Sequence, residues 1–173
     1  MAKKSSAPGV GRKEPARSAG ILLVRQDASG PRVLLAHPGG PYFANKDIGA
    51  WTIPKGLVDR DEPLADAAFR EFAEELGWRP SGALTPLGEV TLRSGKIVAG
   101  FAILSTDDEQ AILARFNPGM FIMPWPPHSG RTAEFPEIDR IGFFSLDDAR
   151  NKLNPAQVAF LDRLASVGLE SSS

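Results

Sequence analysis

Apolar runs separated by turn residues predict two pairs of β-strands. The segments SAGILLVRQ (18–26) and RVLLAH (32–37) flank the turn-forming sequence DASGP, which predicts a central hairpin. TPLGEVTL (85–92) and KIVAGFAIL (96–104) predict a second antiparallel pair around RSG, and GFFSL (142–146) predicts a short late strand. Between the pairs, PGGPYFANKDIGAW (38–51) is dense in Gly and Pro, which indicates an ordered loop.

Two other segments have the periodicity of amphipathic helices. EPLADAAFREFAEEL (62–76) has Pro63 near its start and Gly77 just past its end, as helices commonly do. Its apolar residues fall on one side: Ala65, Ala68, Phe69, Phe72, Ala73 and Leu76. NPAQVAFLDRLASVG (154–168) predicts a closing helix with Val158, Leu161, Leu164 and Ala165 facing inward. Strand pairs mixed with helices predict an α/β domain whose mixed sheet is covered on both faces.

Composition limits the classes of function. A chain of 173 residues with 42% hydrophobic residues fits one domain. The 20 basic and 21 acidic residues nearly balance, which disfavours a long nucleic-acid track, although a local patch stays open. The absence of cysteine excludes disulfides, cysteine metal sites and thiol catalysis, and it fits a reducing, cytoplasmic location. No apolar run is long enough to span a membrane.

The chain ends differ in composition from the rest. Residues 1–16 are basic and rich in Gly, Pro and Ser, with no apolar segment after Lys3 and Lys4, which predicts a disordered tail. An organellar transit peptide is the less favoured interpretation, because Gly, Pro and Glu14 do not suit an amphipathic basic helix. We expect a single domain over 17–168 and a disordered C-terminus over 169–173.

The sequence REFAEELGW (70–78) places like charges together at the end of a helix. Glutamates three and four apart repel by about 0.2–0.5 kcal/mol a pair, and the C-terminal end of a helix favours cations instead. At about 100° per residue, Glu71, Glu74 and Glu75 occupy about one third of the circumference, away from the apolar side. This face is either solvated, with Arg70 paired to Glu74, or a site for a hard divalent cation, which prefers oxygen ligands.

The residues around this patch extend it into a longer motif. Gly56, Glu62, Arg70, the run EFAEE and Gly77 follow the spacing G-x5-E-x7-R-E-U-x-E-E-x-G-U, which resembles the signature of the Nudix hydrolases. Phe72 and Trp78 depart from it, because the family usually has aliphatic residues there. GAWTIPKG (49–56) resembles the W-x-x-P-K-G segment of dinucleoside polyphosphate and diphosphoinositol polyphosphate hydrolases. Segments across 18–165 resemble a bacterial subgroup of predicted pyrophosphohydrolases.

The resemblance implies a Nudix α/β/α sandwich with a mixed sheet and a loop-helix-loop catalytic motif. It also implies a site for Mg²⁺ or Mn²⁺, and Arg70 would orient the carboxylates of that site. The implied ligands are Glu71, Glu74 and Glu75, with a backbone carbonyl of Lys55 or Gly56.

A further acidic residue often completes such a site in this family, six residues before the late aromatic strand. Counting back from Phe143 gives Glu137, and Glu134 is its competitor. The general base stays open among Glu71, Glu74 and Glu137.

Other residues are candidates for binding substrate. Lys55 is expected to face the phosphates, and Arg131 is a candidate phosphate contact. Tyr42 and Trp51 are expected either to stack on a base or to hold the loop in place. FIMPWPPHSGR (121–131) has too many prolines for a central strand, which predicts that Trp125 and Arg131 lie on a loop near the site mouth. His37 and His128 are interpreted as core or loop residues.

These features favour a metal-dependent hydrolase whose partner is a small-molecule nucleotide, with diadenosine polyphosphate as the expected substrate. Nucleoside triphosphates, nucleotide sugars or ADP-ribose, and RNA 5′ ends are the alternative substrates. A non-catalytic Nudix-fold nucleotide-binding module is the alternative class, which the complete set of carboxylates disfavours. We expect a monomer or homodimer with no membrane association.

Overall fold

The structure is a computed structural model that describes residues 13–169. In chain order its elements are β1 (Arg17–Asp27), β2 (Gly30–Pro38), β3 (Lys55–Leu57), α1 (Leu64–Leu76), β4 (Thr85–Thr91), β5 (Ile97–Ser105), α2 (Glu109–Ala114), β6 (Met120–Pro124), β7 (Thr132–Pro136), β8 (Ile138–Ser145), α3 (Leu146–Lys152), a 3-10 turn (Pro155–Gln157) and α4 (Val158–Ser166). No helix in this part of the chain is long and apolar enough to cross a membrane.

The main sheet is mixed and has the strand order β4-β5-β1-β2-β8. Both predicted antiparallel pairs are confirmed, and β1 and β5 join them as parallel neighbours. β3 pairs with the first residues of β1, where Gly20 is opposite Lys55. The late strand begins at Ile138, earlier than predicted, and pairs with β2 along the sheet edge.

Alternating side chains of β1 divide the core into two layers. Leu22 and Val24 lie on the face covered by α3 and α4, whereas Ile21 and Leu23 lie on the face covered by α1 and α2. A strand buried on both faces therefore reads as a continuous apolar run, as this one does. The predicted α/β/α architecture is confirmed.

The predicted inward face of the closing helix needs one correction. Phe160, Leu161 and Leu164 are buried, but Ala165 is exposed. Ala165 lies in the last turn of α4, where the neighbouring Ser166 and Val167 are also exposed. Phe160 packs where Gly100 leaves room, since a Cβ on Gly100 would lie 2.5 Å from the Phe160 ring.

The proline-rich segment is outside the main sheet, as predicted, but it is not a simple loop. β6 and β7 form a separate two-stranded sheet, and Trp125 and Arg131 lie in the connection between them. Of the predicted tails, residues 1–12 and 170–173 lie outside the described residues. Residues 13–16 have no regular secondary structure, and Leu169 packs against the core cluster under α4.

Candidate active site

Helix α1 carries the acidic motif and is fixed to the sheet by its apolar side. Pro63 precedes its first residue, and Gly77 ends it with a φ of 94°, a backbone conformation that favours glycine. Phe72 and Leu76 are fully buried against the sheet. The Phe72 and Trp78 rings meet edge to face with centroids 5.3 Å apart, so the two aromatic departures from the motif pack on each other. The glutamates are left on the opposite side.

Arg70 lies at the centre of the acidic motif. Its Nε and Nη2 each donate to the Glu62 carboxylate at 2.8 Å. Its Nη1 donates to Glu71 at 2.7 Å and to Glu74 at 3.2 Å. Nη2 also donates to the carbonyl of Leu57 at 2.9 Å, which connects the helix to β3. One guanidinium thus holds three carboxylates and the strand in a single arrangement.

Glu62 belongs to the motif, but its contact with Arg70 could not be read from the sequence. Its carboxylate accepts the bidentate pair from Arg70 and also the backbone N–H of Asp59 at 3.1 Å. These hydrogen bonds lower the pKa of Glu62 to about 2, and they raise the pKa of Arg70. The only sequence signal was the fixed glutamate of the motif. The geometry makes Glu62 a positioning residue for Arg70.

Glu71 packs directly against Gly56 on β3. A Cβ on Gly56 would lie 1.8 Å from Oε2 of Glu71, so only glycine allows this close approach. The Glu71 side chain is 13% exposed. Burial raises the pKa of its carboxyl, Arg70 opposes the rise, and the nearby charges of Glu74 and Glu137 add to it.

Glu75 and Lys55 form a second contact between the helix and the loop. The Lys55 backbone N–H donates to Oε2 of Glu75 at 3.0 Å. Burial raises the pKa of the Glu75 carboxyl and lowers the pKa of the Lys55 ammonium, while their mutual attraction opposes both shifts. Two ionisable groups therefore sit where water solvates them poorly.

Of the two candidate acids outside the helix, the structure brings Glu137 to the motif. Its backbone N–H donates to the carbonyl of Gly119 at 2.8 Å, and its carbonyl accepts from Gly39 at 2.9 Å. A Cβ on Gly119 would lie 3.2 Å from both Oε2 of Glu137 and the carbonyl oxygen of Glu74. Glu134 instead lies on β7 opposite Ile122, in the exposed hairpin.

Trp51 is not available to stack on a base, which corrects that interpretation of this residue. Its side chain is only 5% exposed. Its Nε1 donates to Asp47 at 2.7 Å, and its ring meets His37 and Phe144 edge to face at 5.1 and 5.0 Å. Trp51 therefore holds the loop in place, the other role the sequence allowed.

The remaining candidates lie at the surface or in the core. Tyr42 is 59% exposed, and its ring meets Trp125 edge to face at 5.6 Å, which joins the 39–50 loop to the hairpin. Arg131 is exposed at the hairpin connection. His37 is a buried core residue as interpreted, with Asp139 and the Lys46 carbonyl at 2.8 and 2.6 Å from its ring nitrogens. His128 is exposed in the hairpin connection.

The carboxylate oxygens of the acidic motif are of the type that binds divalent cations, but they do not converge on one position. Within residues 13–169, no three acidic or histidine side chains converge enough to enclose a metal ion. Arg70 holds oxygens of Glu71 and Glu74, and Lys55 N–H holds one of Glu75. Burial raises the pKa of Glu71 and of Glu75 even though Arg70 and Lys55 oppose the rise, so the charged carboxylates are poorly solvated. Carboxylate oxygens of this kind fit Mg²⁺ or Mn²⁺.

A mixed sheet between two helical layers, with a loop-helix-loop segment that carries the carboxylates, is the Nudix fold. The chain belongs to the NUDIX domain family, whose model matches residues 14–164.

Solved structures with the same fold include Ap4A hydrolase from C. elegans in a binary complex (21% identity, 88% of this chain and 96% of that chain, TM-score 0.56). The NUDIX domain of Shewanella oneidensis NrtR complexed with ADP ribose is another (14% identity, 90% of each chain, TM-score 0.60). At these identities the likeness shows the fold alone.

Curated relatives match over a shorter segment. RNA pyrophosphohydrolase from Hahella chejuensis is 38% identical over 60 residues, which is 31% of this chain and 37% of the relative. RNA pyrophosphohydrolase from Psychrobacter cryohalolentis is 42% identical over 60 residues, which is 31% of this chain and 35% of the relative. The chain therefore spans little more than a third of the length of these relatives.

Proposed function

We propose that this protein is a metal-dependent pyrophosphohydrolase that cleaves a phosphoanhydride bond in a nucleotide. The observation that carries the proposal is the set of carboxylates of Glu71, Glu74 and Glu75 on one face of α1. Arg70 holds Glu71 and Glu74, while Glu71 and Glu75 contact the start of β3 at Gly56 and Lys55. This crowding destabilises the free helix and becomes favourable when a cation binds. The similar RNA pyrophosphohydrolases support the same reaction type.

The metal ligands in this proposal come from the helix and the loop before it. Glu71, Glu74 and Glu75, with Glu137 and a carbonyl of Lys55 or Gly56, would hold Mg²⁺ or Mn²⁺. Such an ion, when bound, neutralises the phosphate oxygens and makes a water more acidic.

The chain's own residues supply the other parts of the proposed reaction. Arg70 keeps the carboxylates in register through its bonds to Glu62 and Leu57. Glu71, Glu74 or Glu137 removes a proton from the attacking water. Lys55 and Arg131 provide positive charge toward the substrate phosphates, and these roles agree with an anionic substrate.

We propose diadenosine tetraphosphate as the substrate. Tyr42 and Trp125 form an aromatic surface at the junction of the 39–50 loop and the hairpin, and an exposed aromatic face can stack on adenine. The WTIPKG segment resembles that of dinucleoside polyphosphate hydrolases, and the Ap4A hydrolase of C. elegans has the same fold. We expect asymmetric cleavage to ATP and AMP.

Two other functions have specific support. Curated relatives that are RNA pyrophosphohydrolases favour RNA 5′ ends as the alternative substrate. The NUDIX domain of NrtR was solved with ADP ribose, which favours a nucleotide-binding module as the alternative class.

A substrate panel in ¹⁸O-labelled water separates these possibilities. Diadenosine tetraphosphate, 5′-triphosphorylated RNA and ADP-ribose are incubated with Mg²⁺ or Mn²⁺, and the products are identified by chromatography and mass spectrometry. The proposal predicts ATP and AMP with the label in one of them, which locates the attacked phosphorus. Cleavage of RNA alone would show that RNA 5′ ends, and not diadenosine tetraphosphate, are the substrate. Binding of ADP-ribose with no cleavage of any compound would contradict the enzymatic function.

A further inference from the structure

A cavity of about 420 Å³ lies between the 44–47 loop, β8 and the end of α3. Residues that line it include Lys46, Asp47, Trp51, Arg140, Phe144 and Lys152. Trp51 belongs to the core cluster under α3 and α4, and Phe144 packs against that cluster. The cavity is therefore on the face of the sheet opposite helix α1, and the carboxylates of the candidate active site do not line it.

Cations outnumber anions around this cavity. Lys46, Arg140 and Lys152 line it, and Asp47 is the acidic residue among its lining residues. Asp47 is already engaged, because Lys152 Nζ lies 2.6 Å and Trp51 Nε1 lies 2.7 Å from its carboxylate oxygens. These bonds lower the pKa of Asp47.

Arg140 also has a carboxylate nearby, but that pairing is loose. Asp139 lies 3.9 Å from Arg140 Nε and is bound more closely by His37, at 2.8 Å. A guanidinium and an ammonium thus retain unused donors beside the cavity.

Aromatic rings hold the three cations in place. The charged groups of Arg140 and Lys152 lie 5.4 and 6.0 Å from the Trp51 ring centroid. Lys46 Nζ lies 5.2 Å from the Phe43 ring centroid. Cation–π contacts restrict the side chains of Arg140 and Lys46 without neutralising them, so the charge of these two stays available to a ligand. Lys152 is already paired with Asp47.

We propose that this cavity is a second binding site, which takes a phosphate-bearing small molecule. The planar guanidinium of Arg140, with five donors, matches phosphate oxygens, and the ammonium of Lys46 adds charge. The cavity is open to solvent, so a phosphate group carried on a larger molecule can reach these donors. The proposal uses residues that the proposed hydrolysis does not require.

The position of the cavity connects it to the active-site loop. Trp51 N–H donates to the Lys152 carbonyl at 3.0 Å, and Trp51 is followed by the segment that reaches Lys55 and Gly56. An anion between the 44–47 loop and Lys152 would tighten this connection. The phosphate can come from the far end of a long substrate or from a separate small molecule, and the chemistry is the same.

Calorimetric titration with tripolyphosphate in metal-free buffer tests the site without turnover. Wild-type protein should bind, and affinity should fall between about 50 and 200 mM salt because the contact is ionic. Arg140→Gln should weaken binding about tenfold or more. Lys46→Gln should also weaken binding. It provides the test if Arg140→Gln lowers the melting temperature.

Two variants with the same change of charge serve as controls. Arg150 is on α3 like Lys152, but it pairs with Asp162 at 2.8 Å and does not line the cavity. Arg115 follows α2, pairs with Asp107 at 2.9 Å and does not line the cavity either. Arg150→Gln and Arg115→Gln should both bind as wild type. No binding by wild type, or equal weakening by either control, would overturn the proposal.

Kinetics with diadenosine tetraphosphate then identifies the source of the phosphate. A raised KM with unchanged kcat in Arg140→Gln indicates the far end of the substrate. An unchanged KM, together with weakened tripolyphosphate binding, indicates a separate molecule. Because the titration needs neither metal nor hydrolysis, its result stands apart from the fate of the proposed reaction.

Discussion

At the scale of one residue, Glu75 lowers the stability of the metal-free fold. Its carboxyl is poorly solvated and has one hydrogen bond, from the Lys55 backbone N–H. Neighbouring Glu71 and Glu137 add negative charge. A buried carboxylate in such surroundings costs free energy unless a cation compensates it.

This cost predicts a dependence of stability on pH. Burial raises the pKa of Glu75 from 4.5 to about 8, so above pH 4.5 the unfolded chain releases a proton that the folded protein keeps. The free energy of unfolding contributed by Glu75 therefore falls as pH rises from about 5 to 8. Glu75→Gln should remove this fall, so that its stability relative to wild type increases across that range in metal-free thermal melts.

The matched control is Glu74→Gln on the same helix. The Glu74 side chain is 56% exposed and should not show the effect. Parallel pH profiles for wild type and Glu75→Gln would contradict the buried-carboxylate account.

Glu62 has the opposite electrostatic situation. The guanidinium of Arg70 lowers its pKa to about 2, so its ion pair is present above pH 4.5 and is lost as pH falls toward 2. At neutral pH, Glu62→Gln should release Arg70 and lower kcat by about tenfold or more, since small misplacements at a reacting centre are costly. The concentration of Mg²⁺ needed for half-maximal rate should rise with it, which a purely structural role would not produce.

Asp59→Asn is the control for this variant. Asp59 lies 3.7 Å from Arg70, and its side chain is 74% exposed, so its charge matters little there. A wild-type kcat and metal dependence in Glu62→Gln would show that Arg70 is positioned without it.

At the scale of elements, the site depends on how β3 is held against α1. The buried side chain of Gln157 accepts the Ile53 N–H at 2.9 Å, and its amide donates to Thr52 Oγ1 at 2.9 Å. The 3-10 turn before α4 thereby fixes the segment that leads into Lys55 and Gly56. Elements far apart in the sequence thus set the distance between the loop and the helix.

Gly56→Ala tests that distance. The added Cβ would overlap the Glu71 carboxylate, so either the carboxylate or β3 must move. We expect kcat to fall by about a hundredfold, with a modest loss of melting temperature. Gly142→Ala on β8 is the control, because its Cβ would meet only the Phe144 ring at 3.2 Å. Equal effects of the two substitutions on kcat would contradict the close-approach argument.

At the scale of the whole molecule, local patterns predicted local structure. The hairpins and α1 follow from periodicity and from Pro63, Gly77 and the turn residues, which act over a few positions. The parallel pairing of β1 with β5 could not be predicted, since it joins residues about 80 positions apart with no local signal. The hairpin of β6 and β7 was not predicted, because the prolines in this segment indicated a loop.

The candidate site divides in the same way. The motif located Glu71, Glu74 and Glu75 because their spacing on a helix is fixed by its geometry. The burial of Trp51 was not predictable, because an aromatic residue in a loop has the same sequence signal whether it packs inward or faces a ligand. The cavity lined by Arg140 and Lys152 brings together residues from distant parts of the chain, so the sequence carries no local signal for it.

The predicted N-terminal tail gives a test at this scale. Residues 13–16 are exposed, and the Ala16 carbonyl accepts one hydrogen bond from Ile97. A chain that begins at Pro15 keeps this bond and should retain the melting temperature and the hydrolytic rate of the full chain. A fall of many degrees in differential scanning calorimetry would show that the removed residues belong to the folded domain.

The most direct test of the central claim is the rate of phosphoanhydride hydrolysis with and without divalent cation, in wild type and Glu75→Gln. Glu89→Gln is the control, since Glu89 pairs with Arg17 on β1, and neither residue belongs to the acidic motif. We predict hydrolysis that requires Mg²⁺ or Mn²⁺, is lost in Glu75→Gln and is retained in Glu89→Gln. Wild-type turnover by Glu75→Gln at saturating Mg²⁺, or equal rates after removal of all divalent ions, would contradict the account.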